Sequence, residues 1–444
     1  MAYELKEAKE KSEKQQEAVA ATVLDYDTSI ASLRTLIESN SKSKTDVLQP
    51  TTEDFVIPWP ELARTFDSYL EISKKHLLGP MLFVESREVP TDALMLSAGD
   101  LHGGIYPLLG LFDDWKSKGF LRDDYSLAPK VYVIFTGDYV DRGTASIEVL
   151  YALLLLKLKN WSQVTLIRGN HEDWSMNMLY GLVTELQHKY SKTIFKKPEG
   201  AFLPKVDLST YIQQIWETFP TALYVRASGS ASCAVFLHGM VDPVLARATK
   251  EILAQTTSQP KVFSNSSRHA YVSGEVSWGD IVQFIETEDE GARRDENVES
   301  GRPRINQKWL ENNFLNLYPE IKVIVRGHQH AVNCGLLFNM DAWAKRDLYK
   351  KVCASEKLGG GPYRLTGPFP AEAAKDLISG WDESGKVITV SAGKDIVLEG
   401  VNNSLGYVLL APGAQAWDIK YINITSSNSI IFQSKTSSAS AARV

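Results

Sequence analysis

The chain has 444 residues, of which 44% are hydrophobic and 23% charged, and this composition excludes global disorder. Its formal net charge of −6 gives no general attraction to nucleic acid or to anionic membranes. Three cysteines are too few for a disulfide scaffold, and the longest apolar run, Val149–Leu156, is too short to span a membrane. The first residues contain no apolar signal core, so we expect a cytoplasmic protein with no membrane span and no nucleic-acid partner.

Residues 1–45 predict a helical, coiled-coil-like arm. Apolar residues recur at spacings of four and three from Val19 to Ile37, which places them on one stripe of a helix. Such a stripe is typical either of an amphipathic helix that packs on its own domain or of an arm for self-association, so a homo-oligomer is one expectation. Residues 46–90 predict a linker with a short helix at about 61–77.

Short apolar runs that end in polar residues dominate the chain from residue 93 onward. Helical segments predicted at about 105–118 and 144–159 separate the first three runs, and this alternation is typical of an α/β fold. Folds of this class place their sites at the carboxyl ends of strands. The five runs cover residues 93–98, 131–136, 164–167, 233–237 and 321–325.

The last part of the chain is again rich in predicted strands, and we expect it to form an antiparallel sheet that closes the domain. Residues 286–300 and 340–385 are typical of surface insertions, and residues 434–444 of a flexible tail. The strands expected in the closing sheet cover residues 387–390, 406–410, 416–422 and 429–432.

The polar residues that follow the five runs are oxygen and nitrogen donors suited to Mn²⁺, Fe²⁺ or Zn²⁺. Glycines flank nearly all of them and permit the sharp turns that direct a side chain away from a strand end. One such motif would be a weak indication, but five in succession predict a metal site. The motifs are Asp100-Leu101-His102-Gly103, Gly137–Gly143, Gly169–Glu172, Leu237-His238-Gly239 and Gly327–His330.

These motifs resemble those of the calcineurin-like metallophosphoesterase superfamily. Within it, Gly-Asp-Tyr-Val-Asp-Arg-Gly at 137–143 and Leu-Ile-Arg-Gly-Asn-His-Glu-Asp at 166–173 resemble the phosphoprotein phosphatase (PPP) family. The resemblance covers about residues 93–410 and implies an α/β fold, a β-sandwich flanked by helices, with a catalytic domain over 91–433. Some bacterial effectors delivered into host cells resemble divergent PPP enzymes with a helical arm, and such a protein would act in the host cytosol.

The resemblance also implies a pair of divalent ions, with Mn²⁺ expected first and iron or zinc as alternatives. Asp100 and His102 would bind the first ion, and Asp138 would bridge both. His330 departs from the PPP pattern but matches the wider superfamily, where it joins the first ion, so its role stays open. The ligands implied for the second ion are Asn170, His238 and His328.

The implied reaction is hydrolysis of a phosphomonoester by a metal-activated hydroxide. Arg142 would hold the phosphate oxygens, together with a second arginine at Arg302 or Arg304. His171 would protonate the leaving oxygen, and Asp141 would orient the His171 ring.

The substrate class follows only from the resemblance, which implies a phosphoprotein with phosphoserine or phosphothreonine. Ser391–Asp395 and Gly335-Leu336 depart from the PPP pattern at the substrate-facing rim, so phosphotyrosine is an alternative. A diadenosine tetraphosphate-type nucleotide hydrolase and an inactive phosphoesterase scaffold are further alternatives. Trp278–Asp280 resembles a PPP segment and favours a protein phosphatase.

Overall fold

The computed structural model describes 257 of the 444 residues. The predicted arm, the insertion at 340–385, the strand expected at 429–432 and the tail lie outside the described residues. The described ranges are 56–76, 82–194, 208–258, 260–282, 292–294, 303–328, 336–338, 387–389, 406–412 and 417–423.

Helices and strands alternate through the first half of the described chain, as the sequence predicted. The helices are α1 (Trp59–His76), α2 (Ile105–Ser117), α3 (Ser146–Lys159), α4 (Trp174–Tyr180), α5 (Leu182–Ile194), α6 (Leu208–Trp216), α7 (Pro243–Gln255) and α8 (Gln307–Leu310). The strands are β1 (Phe83–Val89), β2 (Leu94–Ala98), β3 (Val131–Phe135), β4 (Val164–Leu166), β5 (Ala222–Ala227), β6 (Cys233–Leu237), β7 (Lys261–Ser264), β8 (Asp280–Val282), β9 (Ala292–Arg294), β10 (Pro303–Asn306), β11 (Ile321–Arg326), β12 (Leu336–Phe338), β13 (Val387–Thr389), β14 (Gly406–Pro412) and β15 (Trp417–Asn423).

Two sheets pack face to face. One has the order β12-β13-β11-β6-β5-β1-β7 and the other the order β15-β14-β2-β3-β4, while β8, β10 and β9 form a small third sheet. Met95 and Ile134 of the five-stranded sheet pack in one buried cluster with Phe236 and Val325 of the seven-stranded sheet. The expected β-sandwich is therefore confirmed.

Helices cover the outer face of each sheet, so the strands are apolar on both faces. In β3, Val133 and Phe135 pack with the helices α1, α2, α3, α5 and α6, whereas Ile134 faces the other sheet. In β6, Val235 packs with α7 and α8, and Phe236 lies between the sheets. This alternation is the period of two expected of a strand, and it explains why these strands appear in the sequence as continuous apolar runs.

The prediction that the last strands form one antiparallel closing sheet is wrong in one respect. β14 pairs antiparallel with β15 and with β2, as predicted, but β13 pairs parallel with β11 and antiparallel with β12 in the other sheet. The long connection from β11 to β13 makes a parallel crossover feasible, whereas a short hairpin would not. The last strands therefore extend both sheets.

Seven strands lie where none was predicted, namely β1, β5, β7, β8, β9, β10 and β12. β1 falls in the predicted linker and pairs with β5 and β7, and β9 falls in the predicted insertion at 286–300 and pairs with β10. Glu85 and Arg87 interrupt the apolar pattern of β1, and they pair with each other at 2.9 Å. A strand of mixed polarity gives little signal in the sequence, which explains why it was not predicted.

Candidate metal and catalytic site

The candidate site lies where the carboxyl ends of strands from both sheets meet. β2, β3 and β4 run parallel in one sheet, and β6 and β11 run parallel in the other. The backbone N–H of His328 donates to Asp100 Oδ1 at 3.1 Å and joins the two sets of loops. The predicted site residues that these loops bring together are Asp100, His102, Asp138, Asp141, Arg142, Asn170, His171, His238 and His328.

Backbone strain concentrates in the same loops. Eight described residues other than glycine have a positive φ, and six of them are predicted site residues. Such conformations persist where surrounding contacts hold them, and they cluster at functional sites. The six are Asp100 (50°), His102 (44°), Asp138 (55°), Asp141 (70°), Arg142 (62°) and His328 (73°).

One group of candidate ligand atoms belongs to His102, Asp138 and His171, and these atoms lie within 4.8 Å of one another. His102 Nδ1 donates to the backbone oxygen of Val140 at 3.1 Å, which directs His102 Nε2 to Asp138 Oδ2 at 3.5 Å. A carbonyl partner on one ring nitrogen fixes the tautomer, so the other nitrogen offers its lone pair to the group.

A second group belongs to Asp138, His238 and His328. His238 Nδ1 donates to the backbone oxygen of Thr136 at 2.7 Å, and its Nε2 lies 3.2 Å from Asp138 Oδ2. The amide oxygen of Asn170 lies 3.0 Å from His238 Nε2 and 2.8 Å from His328 Nδ1. The second group thus has a histidine–asparagine–histidine arrangement around one side of Asp138.

These donor sets fit two divalent cations. A neutral His238 whose Nδ1–H donates to the Thr136 carbonyl would offer the lone pair of Nε2 to a cation, beside the two oxygens that face it. Such a cation would take the place of the imidazolium proton that the same oxygens favour on His238. Asp138 belongs to both groups, which is the position that a bridging carboxylate requires. Mixed carboxylate, amide and imidazole donors suit manganese, iron and zinc.

The charges of the site act mainly on Asp138 and His238. Burial alone would raise the pKa of Asp138, but the nearby His238, His171 and His102 hold that pKa well below its usual range. Burial acts to lower the pKa of His238, whereas Asp138 and Asp100 raise it, with a net rise to about 9. Asp100 Oδ1 lies 3.8 Å from His238 Nδ1, and Asp100 itself is in neither ligand group.

His171, which belongs to the first group, forms a buried pair with Asp141. His171 Nδ1 lies 2.9 Å from Asp141 Oδ2, and Arg142 Nη2 donates to His171 Nε2 at 3.2 Å. Since Nε2 accepts from the guanidinium, Nδ1 carries the proton and donates to Asp141. The backbone N–H of Leu182 occupies the other oxygen of Asp141 at 2.9 Å. This arrangement can pass a proton through His171 Nε2.

Asn177 is a site residue that the sequence did not reveal. Its amide nitrogen donates to Asp141 Oδ2 at 2.9 Å and to the backbone oxygen of His171 at 2.7 Å. Its amide oxygen accepts from Trp216 Nε1 at 3.0 Å. The motif spacing offers no signal for this residue, because Asp141 and Trp216, its side-chain partners, lie 36 and 39 positions away in the chain.

Glu172 lies beneath the ligand loops, with no solvent exposure. Its carboxylate accepts the backbone N–H groups of Asp138 at 2.8 Å, Tyr139 at 2.9 Å and Gly169 at 2.8 Å. Burial, followed by the charge of Asp138, raises the pKa of Glu172 to about 7.

A second support comes from β8 of the small third sheet and from β11 of the seven-stranded sheet. Asp280 Oδ1 lies 3.5 Å from His328 Nε2, so His328 has an outer partner as well as an inner one. The buried Arg326 donates through Nη2 to the backbone oxygen of Gly279 at 2.9 Å and through Nε to that of Gly239. Arg326 thereby fastens the turns next to Asp280 and His238.

Three predicted site residues are not among those that the loops bring together. Arg302 and His330 lie outside the described residues. Arg304 lies on β10, in register with Asp280 of β8.

Comparison with protein-family models matches residues 95–332 to the calcineurin-like phosphoesterase family, which is more than half of the chain. The chain belongs to this family. Among curated relatives, serine/threonine-protein phosphatase PP1-1 of Saccharomyces cerevisiae is 35% identical over 138 residues, 30% of this chain and 42% of the relative. Serine/threonine-protein phosphatase 6 catalytic subunit of Caenorhabditis elegans is 40% identical over 109 residues, 24% of this chain and 30% of the relative.

The matched part therefore spans less than half of the length of each of these two relatives. Among solved structures, a protein serine/threonine phosphatase from Saccharomyces cerevisiae aligns with a TM-score of 0.51 and 19% identity, over 85% of this chain and 94% of that one. This likeness shows a common fold. Among the residues that the structure describes, no helix combines the length and apolar character that a membrane crossing needs.

Proposed function

We propose that this calcineurin-like phosphoesterase is a metal-dependent phosphoprotein phosphatase. The observation that carries the proposal is the position of Asp138, which lies in both ligand groups next to the His171–Asp141 pair and Arg142. A dinuclear centre, a phosphate-binding cation and a proton donor are the parts that hydrolysis of a phosphomonoester needs. The two curated relatives described above are named as serine/threonine-protein phosphatases.

Asp138 would bridge the two ions, with Asp100 and His102 at the first and Asn170, His238 and His328 at the second. When bound, the ions would supply an activated water and would neutralise charge on the phosphate. Mn²⁺ is the first candidate, with iron and zinc as alternatives, because the donors are mixed nitrogen and oxygen. His330 stays a candidate ligand of the first ion.

Arg142 would bind two phosphate oxygens through its planar guanidinium, since such pairs add orientation as well as charge. Arg304 is the better supported partner for this role, because its register places it beside Asp280, which contacts His328. Arg302 remains the alternative.

His171 would donate the proton at Nε2 to the leaving oxygen. Asp141 holds Nδ1–H and would stabilise the imidazolium while that proton is present. Asn177 keeps the Asp141 carboxylate in place, so the orientation of His171 is set from two sides.

The test of this proposal is a substrate panel assayed with metal-stripped protein and added Mn²⁺. The panel contains matched phosphoserine, phosphothreonine and phosphotyrosine peptides, nitrophenyl phosphate and diadenosine tetraphosphate. We expect Mn²⁺-dependent turnover, with kcat/KM highest for phosphoserine or phosphothreonine. Preference for the dinucleotide would make the protein a nucleotide hydrolase, and turnover by metal-free protein would exclude the proposed mechanism.

A further inference from the structure

Glu172 connects the two loops that carry the central ligands, yet it belongs to neither ligand group and does not contact the His171–Asp141 pair through its carboxylate. Glu172 Oε2 accepts the N–H groups of Asp138 and Gly169, both at 2.8 Å. Glu172 Oε1 accepts the N–H of Tyr139 at 2.9 Å. One carboxylate therefore bonds to the loop after β3 and to the loop after β4.

The connection between these loops is reciprocal. While Glu172 accepts the backbone N–H of Asp138, the Asp138 side chain accepts the backbone N–H of His171 at 3.0 Å through Oδ1. Each loop thus offers a carboxylate to the backbone of the other. Rotating either carboxylate would break a bond on the opposite loop, so the spacing of Asp138 from Asn170 and His171 is fixed from both sides.

The loops approach each other so closely that no side chain fits between them. A Cβ atom on Gly169 would lie 2.3 Å from Asp138 Oδ1 and 2.6 Å from Glu172 Oε2. The backbone of Asp138 is strained as well, since its φ of 55° is unfavourable for a residue other than glycine, whereas the preceding Gly137 adopts its φ of 99° freely. Strained backbone persists only where its surroundings hold it, and the bonds to Glu172 supply that hold.

We propose that Glu172 is a positioning residue that sets the geometry of the two metal-ligand groups through the backbone of Asp138. This inference rests on the proposed metal centre, and it predicts that Glu172 controls metal affinity without touching a metal. Partners of metal ligands that orient them typically change metal affinity by ~10–100-fold when they are replaced.

The test variant is Glu172→Gln, which keeps the size of the side chain. Glutamine has one acceptor oxygen, so its amide N–H₂ must face at least one backbone N–H that Glu172 now accepts. We expect the affinity of metal-stripped protein for Mn²⁺, measured by titration calorimetry, to fall ~10–100-fold. The rise in Tm on adding Mn²⁺ should shrink in parallel.

Glu185→Gln is the matched control. Glu185 is also a buried carboxylate, and it accepts two successive backbone N–H groups, of Ser146 at 2.9 Å and Ile147 at 3.1 Å, together with the ammonium of Lys189 at 2.7 Å. These lie at the start of α3 and carry no proposed metal ligand. We expect Glu185→Gln to lower the Tm of the metal-free protein but to keep the Mn²⁺ affinity of the unchanged protein.

If Glu172→Gln does not fold, Glu172→Asp, which keeps the carboxylate but shortens its reach, is titrated instead with the same expectation. Equal Mn²⁺ affinity in the Glu172 variant and the unchanged protein would overturn the inference, as would equal losses in the Glu172 and Glu185 variants. The proposed function is read separately, from Mn²⁺ binding and nitrophenyl phosphate turnover by the unchanged protein. If that protein fails both, the function itself is wrong.

Discussion

At the scale of single residues, His171 has one ring nitrogen bonded to Asp141 and the other facing Arg142. The side chain is buried, so its orientation is set by these contacts and not by solvent. An acid in this position is needed most when the leaving oxygen is a poor leaving group, because a good leaving group departs without protonation.

Replacement of His171 by Asn should therefore lower kcat for a phosphoserine peptide by ~10²–10⁴. The loss should be smaller for nitrophenyl phosphate, whose leaving group needs less protonation. Steady-state kinetics on both substrates measure the difference, and Mn²⁺ titration checks that the centre is retained. Equal losses on the two substrates would contradict the role of His171 as a proton donor.

The candidate ligands stood out in the sequence because each follows a strand that is apolar on both faces. The residues that support them did not. Asn177 and Asp141 are separated by 36 positions, and Glu172 and Asp138 by 34, and both contacts depend on how loops from different strands meet. Contacts of this kind follow from the packed structure and have no local pattern.

At the scale of the elements, the strands that carry the ligands were predicted within one or two residues of their ends. Seven other strands were not predicted, and most of them are short or contain polar residues that interrupt the apolar pattern. These are β1, β5, β7, β8, β9, β10 and β12. The assignment of strands to one sheet or the other also escaped prediction. β13 and β14 are both short apolar runs, and only their neighbours in space decide which sheet each one joins.

The N-cap of α7 offers a test of how a single carboxylate stabilises a helix. Asp242 is its N-cap and accepts the backbone N–H of Leu245 at 2.7 Å, while the hydroxyl of Ser273 donates to its other oxygen. Burial raises the pKa of Asp242. As pH rises, the unfolded chain therefore loses this proton before the folded protein does, and the contribution of Asp242 to stability falls.

Asp242→Asn keeps the cap and removes the titration. The free energy of unfolding of the unchanged protein, relative to this variant, should fall as pH rises above about 4, the ordinary pKa of an aspartate carboxyl. Urea unfolding at several pH values measures it. Asp242→Ala is the control and should lose ~1 kcal/mol through loss of the cap. A difference between the unchanged protein and Asp242→Asn that does not vary with pH would show that this carboxyl is not perturbed by folding.

At the scale of the whole molecule, the site belongs to neither sheet alone. Asp100, Asp138 and Asn170 follow strands of the five-stranded sheet, whereas His238 and His328 follow strands of the seven-stranded sheet. The second ligand group therefore exists only while the two sheets are packed together. A metal that binds this group would therefore stabilise the folded β-sandwich in addition to its role in the reaction.

This arrangement has a consequence for the order of events during folding. The bond between His328 and Asp100 joins residues 228 positions apart, and contacts between such distant segments are costly to form. We therefore expect the second ligand group, which contains His328, to assemble late in folding. A cation that binds this late-formed group would bind the folded protein and not its folding intermediates.

Saturating Mn²⁺ should then slow unfolding, seen in the unfolding limb of a chevron plot, and leave the refolding limb unchanged, as for interactions absent from the transition state. Stopped-flow mixing with and without chelator measures both rates. Faster refolding with Mn²⁺ would instead mean that the metal centre forms in the folding nucleus. The metal would thus slow the unfolding of the folded protein, and a shortage of metal would shorten the lifetime of the folded state without preventing folding.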